Sequence, residues 1–372
     1  MNRTSYALRA WLIRLTLIAA GALVGRYGAP VAPPVEVTEQ KQPAPALDEF
    51  APRAQGWLFD EEAVTAHLAR HAVPAFGHTP AGRAALAHPG DVYLWDAAKK
   101  VTGAVLPARD QGQVGSCTSF GTASAVEHLL CVQIASGRGG RYRDLVQEVI
   151  YAGSRVEVGR GQITGDGSIG AWAVEWVSRW GVLPRGVHLG GKYDLTRYDD
   201  ARCRAWGRTG VPDDLEPLAK ESAVKGYALV TSYTEADKAI RQGYPVVVCS
   251  GQGFKMTRDA DGFCTPSGTW YHCMTFIGAR GGARPGLFCL NSWGATAHTG
   301  PRFPPDAPEG GFWVDAATAD VMLRKWRDSY ALSDAVGFPE RPGPPDWFVQ
   351  QLPDPFAHLR KERVSWLRSE SR

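Results

Sequence analysis

The clearest change of pattern along the chain lies at residue 117. The residues before it, from Asp110 to Ser116, form a polar, glycine-rich stretch that is typical of a loop. After it, apolar residues recur at helical spacing, namely Phe120, Ala123, Val126 and Leu130. We therefore predict a helix that begins at Cys117, with Ser116 as its N-cap. A thiol in the first turn lies near unpaired backbone N–H groups and the positive end of the helix dipole, which favour the thiolate.

Two apolar strands are predicted further along the chain. The first runs from His272 to Ile277 and the second from Gly286 to Leu290, with a glycine-rich turn between them. The second strand continues into Asn291-Ser-Trp-Gly. A hairpin of these strands would bring His272 close to Asn291. A cysteine at a helix start, a histidine and an asparagine supply a nucleophile, a base and a group that orients the base.

These motifs, together with Gln111 in Gln-Gly-x-x-Gly-Ser-Cys, resemble those of papain-like cysteine peptidases. The resemblance covers residues 91–339 and implies an α+β fold in two lobes, one helical and one β-barrel-like, with the active site in the cleft between them. The helical lobe would contain helices at 117–135, 142–153 and 171–180, and the β-rich lobe would begin after about Gly226. Residues 95–107 resemble the entry strand of the mature domain.

The resemblance also implies a role for individual residues. Cys117 would attack as a thiolate paired with the His272 imidazolium, and Asn291 would hold the imidazole ring. Trp293 would shield that hydrogen bond, and the Gln111 side chain would form the oxyanion hole with the backbone N–H of Cys117. The substrate-binding residues that it implies are Gly167, Ser168, Cys249, Tyr271 and Cys273. It implies no cofactor and no metal.

Some positions depart from the family pattern. Ser168 replaces the second glycine of the cleft wall, and we expect it to narrow the access of a substrate backbone. The usual disulfide beside the nucleophile is absent, since Val114 and Gly165 occupy its two positions. Without Cys117, six cysteines remain, enough for three disulfides in an exported protein. Cys131, Cys249 and Cys289 lie in apolar runs, where they could equally be buried thiols.

The segments outside the predicted peptidase domain have distinct compositions. Residues 1–28 carry arginines before a short apolar run and are interpreted as a signal peptide or membrane anchor, so we expect a protein that is secreted or tethered in the cell envelope. Residues 29–48 form a Pro-rich linker, and residues 340–372 a Pro-rich and basic extension. Residues 49–90, with a short helix at 60–71, are predicted to be a pro-like or spacer segment that inhibits weakly at most. An alternative is an extended plug at 76–88 in the cleft.

Composition and charge exclude several classes of function. The chain has 44% hydrophobic and 21% charged residues, as ordinary globular proteins do. Its 41 basic and 38 acidic residues give a net charge of +3, which argues against nucleic acid as a partner. His67 and His71 are four residues apart, but no glutamate follows His67, so the zinc-peptidase motif is incomplete. We interpret them as residues of a solvated helix face.

The sequence therefore predicts a cysteine endopeptidase that hydrolyses peptide bonds of proteins or peptides through an acyl-enzyme. One alternative is a catalytically silent binding module with the same fold. Another is an amidase or acyl transferase that acts on cell-wall peptides.

Overall fold

The computed structural model describes residues 53–85, 90–220 and 224–341. The predicted signal or anchor segment and the Pro-rich linker lie outside the described residues, as does the C-terminal extension apart from its first two positions. Within the described ranges, no helix has both the length and the apolar character that crossing a membrane requires.

The described residues contain ten α-helices, numbered here in chain order. They are α1 (Glu61–Arg70), α2 (Pro80–Arg83), α3 (Leu94–Thr102), α4 (Cys117–Ala135), α5 (Gln147–Gly153), α6 (Gly170–Arg179), α7 (Asp200–Thr209), α8 (Glu216–Ala219), α9 (Tyr233–Arg241) and α10 (Ala316–Trp326). The strands in the same ranges are β1 (Val92–Tyr93), β2 (Val187–His188), β3 (Tyr193–Asp194), β4 (Gly226–Leu229), β5 (Val246–Arg258), β6 (Cys264–Arg280), β7 (Gly286–Leu290), β8 (Gly311–Asp315) and β9 (Asp328–Ser333).

One antiparallel sheet carries the second lobe. Its strands follow the order β4-β9-β5-β6-β7-β8, and β1 pairs with β6. The apolar run at the start of β5 is buried throughout, as expected for a strand with both faces covered. The register opposes Ser250 to His272 and Cys249 to Cys273. The predicted β-rich lobe after Gly226 is confirmed, and β6 and β7 form the predicted hairpin.

Helix α4 connects the two lobes. Residues 117–129 are all buried, which explains why this helix is apolar on nearly every side. Its backbone approaches β6 closely at Gly121, whose carbonyl accepts a 2.6 Å hydrogen bond from the Thr275 hydroxyl. A Cβ at position 121 would lie 3.0 Å from the Met274 carbonyl oxygen. The tight contact fixes the start of α4 against the strand that carries His272.

The helices expected in the first lobe are present, with two corrections. The second helix begins at Gln147 rather than at Tyr142, because Tyr142 and Asp144 are turned toward Arg109. Residues 95–107 do not form an entry strand, because most of them belong to α3, which buries Leu94, Trp95, Ala97 and Ala98 on one face. Gly103 ends that helix with a φ of 84°.

The segment before the predicted peptidase domain packs on both lobes. Helix α1 lies where the sequence predicts it, because the Asp60 carboxylate caps it at the backbone N–H of Ala63 (2.8 Å). Phe76 is fully buried against Tyr244 and Phe338, in the core of the β-rich lobe. The described part of the alternative plug is therefore not in the cleft beside Cys117.

The interpretation of His67 and His71 as a solvated face is wrong. His67 is 4% exposed, and its Nδ1 lies 3.2 Å from Oε2 of Glu175 in α6. Nε2 of His71 lies 3.2 Å from the same oxygen. No local pattern indicates this contact, because Glu175 comes from a helix about a hundred residues away.

Candidate active site

Cys117 lies at the first position of α4, as predicted, and its side chain is completely buried. Its Sγ accepts a hydrogen bond from the backbone N–H of Cys273 at 3.3 Å. The backbone N–H groups of Thr118 and Trp57 also point at this sulfur. Burial raises the pKa of Cys117 to about 12 despite these donors, so the thiol is protonated in this state.

His272 is also completely buried, one residue before the donor to Cys117. Its Nε2 lies 2.8 Å from Oδ1 of Asn291, which also accepts the backbone N–H of Ser292 at 2.7 Å. Nδ1 of His272 is buried without a hydrogen-bond partner among the described residues. Burial lowers the pKa of His272 to about 4, so the ring is neutral. The Asn291 carbonyl therefore receives the Nε2 proton, and Nδ1 keeps its lone pair.

A second histidine lies behind Asn291. Nδ2 of Asn291 is 3.1 Å from Nε2 of His298, and Nδ1 of His298 is 3.7 Å from Sγ of Cys264. Burial lowers the pKa of His298 to about 3, which leaves it neutral and able to accept the amide hydrogen. Because the amide donates to His298, its oxygen faces His272. Sequence reasoning missed His298, which lies in a loop and belongs to no motif.

Trp293 covers the imidazole. Its ring stacks on His272 with 4.4 Å between centroids, and Trp270 makes a T-shaped contact with it at 4.7 Å. The Trp293 indole donates to the Ala54 carbonyl at 2.8 Å. The hydrogen bond between His272 and Asn291 is itself buried.

The Gln111 side chain is held rigidly beside the same loop. Its Oε1 accepts from the Ser292 hydroxyl at 2.7 Å, and its Nε2 donates to the Val114 carbonyl at 2.9 Å. The backbone N–H of Gln111 donates to the Ser292 carbonyl at 2.9 Å. The orientation of the amide is thereby fixed on the loop that precedes Cys117.

A strand-like segment, residues 54–58, occupies the space between the two lobes. The N–H groups of Gly56 and Trp57 donate to the Tyr271 carbonyl at 3.2 and 3.1 Å. On the other side, Ser168 donates to the Gly56 carbonyl at 2.8 Å and accepts from the N–H of Leu58 at 2.9 Å. We call residues 54–58 the cleft segment. Sequence reasoning missed it, because it contains no helical or strand periodicity.

The Trp57 side chain fills a pocket beside Cys117. It is fully buried, and its Nε1 donates to Oδ2 of Asp328 at 2.8 Å. The Asp328 carboxylate also accepts the backbone N–H groups of Gly170 and Ala171, both at 2.8 Å. These three donors satisfy the buried carboxyl group, whose pKa is nevertheless raised by burial. Asp328 was also missed, because it belongs to none of the sequence motifs that indicate catalysis.

The predicted substrate-binding residues surround this segment. Tyr271 and Ser168 contact it through their backbones, and the Ser168 hydroxyl is turned away to Ser154 at 2.8 Å. The side chain of Ser168 therefore does not narrow the cleft as expected. Gly167, with a φ of 116°, donates to the Tyr151 hydroxyl at 3.0 Å.

The cysteines resolve into one disulfide and buried thiols. Cys249 and Cys273 are joined to each other, and both belong to the buried apolar group that includes Trp57. Five cysteines are free and buried, namely Cys117, Cys131, Cys203, Cys264 and Cys289. The sequence left open whether Cys131, Cys249 and Cys289 form disulfides or are buried thiols. Cys131 and Cys289 are buried thiols, and Cys249 is in a disulfide.

Comparisons with known proteins agree with this architecture. No family model and no curated protein matches the sequence. Among solved structures, xylellain, a cysteine protease from Xylella fastidiosa, superposes with a TM-score of 0.51 at 17% identity, over 77% of this chain and 98% of xylellain. The bromelain protease from Ananas comosus matches with a TM-score of 0.44 at 16% identity, over 66% of this chain and 99% of bromelain.

The chain therefore has the two-lobed papain-like fold. The resemblance inferred from its motifs is confirmed at the level of the fold.

Proposed function

We propose that the protein is a cysteine endopeptidase that is latent in the state described here. The observation that carries the proposal is a buried thiol at a helix N-terminus whose Sγ accepts the N–H of Cys273, the residue next to His272. The Nε2 of His272 is held by Asn291, and its Nδ1 has no partner among the described residues. A thiol beside an imidazole with one free nitrogen is the arrangement required for nucleophilic catalysis. The xylellain-like fold supports the assignment.

In the proposed mechanism, the Cys117 proton passes to Nδ1 of His272. The thiolate then attacks the carbonyl carbon of the substrate, and the oxyanion is stabilised by the N–H of Cys117 and by the Gln111 amide. The imidazolium donates its proton to the leaving amine as the C–N bond breaks. A water molecule, deprotonated by His272, hydrolyses the thioester and regenerates the thiol.

The cleft segment accounts for the proposed latency. Its Trp57 N–H, which donates to the Tyr271 carbonyl, lies near the Cys117 sulfur, so the segment occupies the space beside the nucleophile. Because the segment buries Cys117 and His272, both groups stay in their neutral forms. Departure of the segment would admit solvent, favour the thiolate–imidazolium pair and open the cleft to substrate.

The path of the cleft segment supports endopeptidase rather than exopeptidase action. It enters near Trp293, where the indole holds Ala54, and leaves beyond Ser168 at Leu58. A cleft that holds a polypeptide continuing in both directions has no wall that would recognise a chain end. We therefore propose cleavage within chains.

The Trp57 pocket suggests a substrate preference. A substrate side chain that replaces Trp57 would have to satisfy the Asp328 carboxyl group, which loses its indole donor. Oδ2 of Asp328 keeps the backbone N–H of Gly170, but the loss of one hydrogen bond costs roughly 0.5–1.5 kcal/mol. We expect the pocket to favour side chains with a donor, such as tryptophan, lysine or arginine, over leucine.

The experiment is a peptide-library profile of the full chain carrying Trp57→Ala, compared with the same chain carrying Cys117→Ala in addition. The first should cleave internal bonds, and the second should be at least about 100-fold slower, because covalent catalysis needs the thiol. Equal rates would overturn the mechanism. Intact folding with no turnover on any peptide would favour a silent binding module, and cleavage of cell-wall peptides alone would favour an amidase.

A further inference from the structure

The strongest unassigned cluster of metal-ligating side chains lies where α1 meets α6. His67 of α1 and His71, the C-cap residue one turn later, direct Nδ1 and Nε2 toward Oε2 of Glu175. The three atoms all lie within 4.8 Å of one another. His71 Nε2 is buried and has no hydrogen-bond partner among the described residues, although it faces this carboxylate. His67 and Glu175 are buried, and His71 is partly exposed.

Two of the three distances between the ligand atoms fit a tetrahedral ion, and the two histidine nitrogens, which lie within 4.8 Å of each other, would move closer together to bind it. Zn²⁺ binds histidine nitrogen and carboxylate oxygen at about 2.0–2.2 Å, and two such ligands at a tetrahedral angle lie roughly 3.3 Å apart. Each histidine nitrogen is 3.2 Å from the Glu175 oxygen. Two histidines and one glutamate form a known protein ligand set for zinc, with water in the fourth position.

Neighbouring groups orient these ligands. Nε2 of His67 is 3.0 Å from the Tyr227 hydroxyl, so the ring can donate there and keep the Nδ1 lone pair for a metal. The other oxygen of Glu175, Oε1, is paired with Arg179 at 2.5 Å. The ion pair with Arg179 therefore holds the carboxylate with Oε2 facing the histidines.

We propose that His67, His71 and Glu175 form a binding site for a divalent transition-metal ion of the zinc class, which fastens α1 to the helical lobe. Two of its ligands lie in α1 and at its C-cap, and α1 follows the cleft segment, with Leu58 only three residues before Glu61. A bound ion therefore opposes release of the cleft segment. The effect on the cleft segment rests on the proposed function, whereas the binding site itself does not.

The site is tested on the full chain carrying Cys117→Ala, so that the active-site thiol cannot bind the ion. After treatment with EDTA and its removal, titration calorimetry with Zn²⁺ alone should give one site per chain, and Tm should rise on binding. Mg²⁺, which prefers oxygen ligands, should give neither effect. Absence of stoichiometric Zn²⁺ binding would overturn the proposal and leave the cluster as an ion pair.

Variants separate this site from adventitious binding. His71→Gln, at a partly exposed position, should weaken Zn²⁺ binding at least about 100-fold, and Tyr227→Phe, which removes only the orienting hydroxyl, by about 10–100-fold. The matched control is His78→Gln, an exposed histidine of the same segment, which should bind as the parent does. Unchanged affinity in His71→Gln would refute the assignment.

The effect on the cleft segment is measured by alkylation of Cys117 with iodoacetamide in the full chain with its natural cysteine. Zn²⁺ should slow alkylation at least about tenfold in the parent and have little effect in His71→Gln. Equal protection in both would mean that zinc binds Cys117 directly, which overturns the fastening role. Because the calorimetry does not require turnover, failure of the peptidase assignment would leave the metal site testable.

Discussion

The indole of Trp57 donates a 2.8 Å hydrogen bond to the Asp328 carboxylate in a pocket beside Cys117. The two residues are 271 positions apart, and the bond joins the cleft segment to the first residue of β9. Together with the backbone bonds to Tyr271 and Ser168, it holds residues 54–58 over the nucleophile.

Trp57→Ala in the full chain should therefore release the cleft segment. Removing a fully buried tryptophan costs about 3–5 kcal/mol, much of which here stabilises the segment in the cleft. We expect alkylation of Cys117 and cleavage of a peptide substrate to become at least about tenfold faster. Both rates are measured at equal concentrations of folded protein.

Phe59→Ala is the matched control, because Phe59 is adjacent to the cleft segment but 41% exposed. It should leave both rates within about twofold of the parent. Unchanged rates in Trp57→Ala would show that the segment does not limit access, and the spacer interpretation of residues 49–90 would then be the better one.

Gln111→Ala tests the oxyanion hole. The loss of one donor to a developing oxyanion typically lowers kcat by about 10²–10³. We expect a loss of this size with little change in KM, in the Trp57→Ala chain, because the donor acts mainly in the transition state. The measurement is a full set of steady-state kinetics on one peptide. A raised KM with an unchanged kcat would instead make Gln111 a binder of the ground state.

His298 is expected to act as a positioning residue through Asn291. Without its acceptor, the Asn291 amide can turn its NH₂ group to His272, which would then carry its proton on Nδ1 and could not take one from Cys117. An unpaired buried donor costs about 1–3 kcal/mol, so His298→Phe should lower kcat/KM roughly tenfold or more. His298→Gln, which retains an acceptor, should recover much of this loss. Equal losses in both variants would argue for a merely structural role.

The residues predicted from sequence share one property, which is that local motifs carry them. Cys117 follows a loop-to-helix change, and His272 and Asn291 lie on one hairpin, so their proximity follows from adjacent strands. Asp328 and Glu175 were missed because their partners are brought to them only by tertiary packing. The disulfide between Cys249 and Cys273 was not predicted for a different reason, which is the register of the two strands that carry them.

The pairing of Cys249 with Cys273 depends on the register of β5 against β6, where they are directly opposite. A shift by one residue would turn the two side chains to opposite faces of the sheet. Strand patterns alone do not determine such a register, and the sequence therefore left both disulfides and buried thiols open.

The disulfide leads to a prediction about thiol number. Five cysteines are free and two are joined, so the unfolded chain should react with five equivalents of a thiol reagent before reduction and with seven after it. The added mass is read by mass spectrometry of the intact protein. In the chain with Cys249→Ala and Cys273→Ala, both numbers should be five. Seven reactive thiols before reduction in the parent would contradict the pairing.

The last prediction concerns the pH dependence of stability. The pKa of His298 is lowered from 6.5 to about 3 by burial first, and then by the positive charges of Arg258 and Arg53 and by His272. Between pH 6.5 and 4, the unfolded chain binds a proton at this residue that the folded chain does not bind. The contribution of His298 to the free energy of unfolding therefore decreases as the pH falls through this window, by up to about 1.4 kcal/mol per pH unit. His298→Gln should remove the part of this pH dependence that comes from His298. The contributions of His128 and His272, whose pKa values are also lowered by burial, should remain. Urea unfolding of both proteins at several pH values from 4.5 to 7 measures the difference, and parallel curves would show that His298 is protonated in the folded chain.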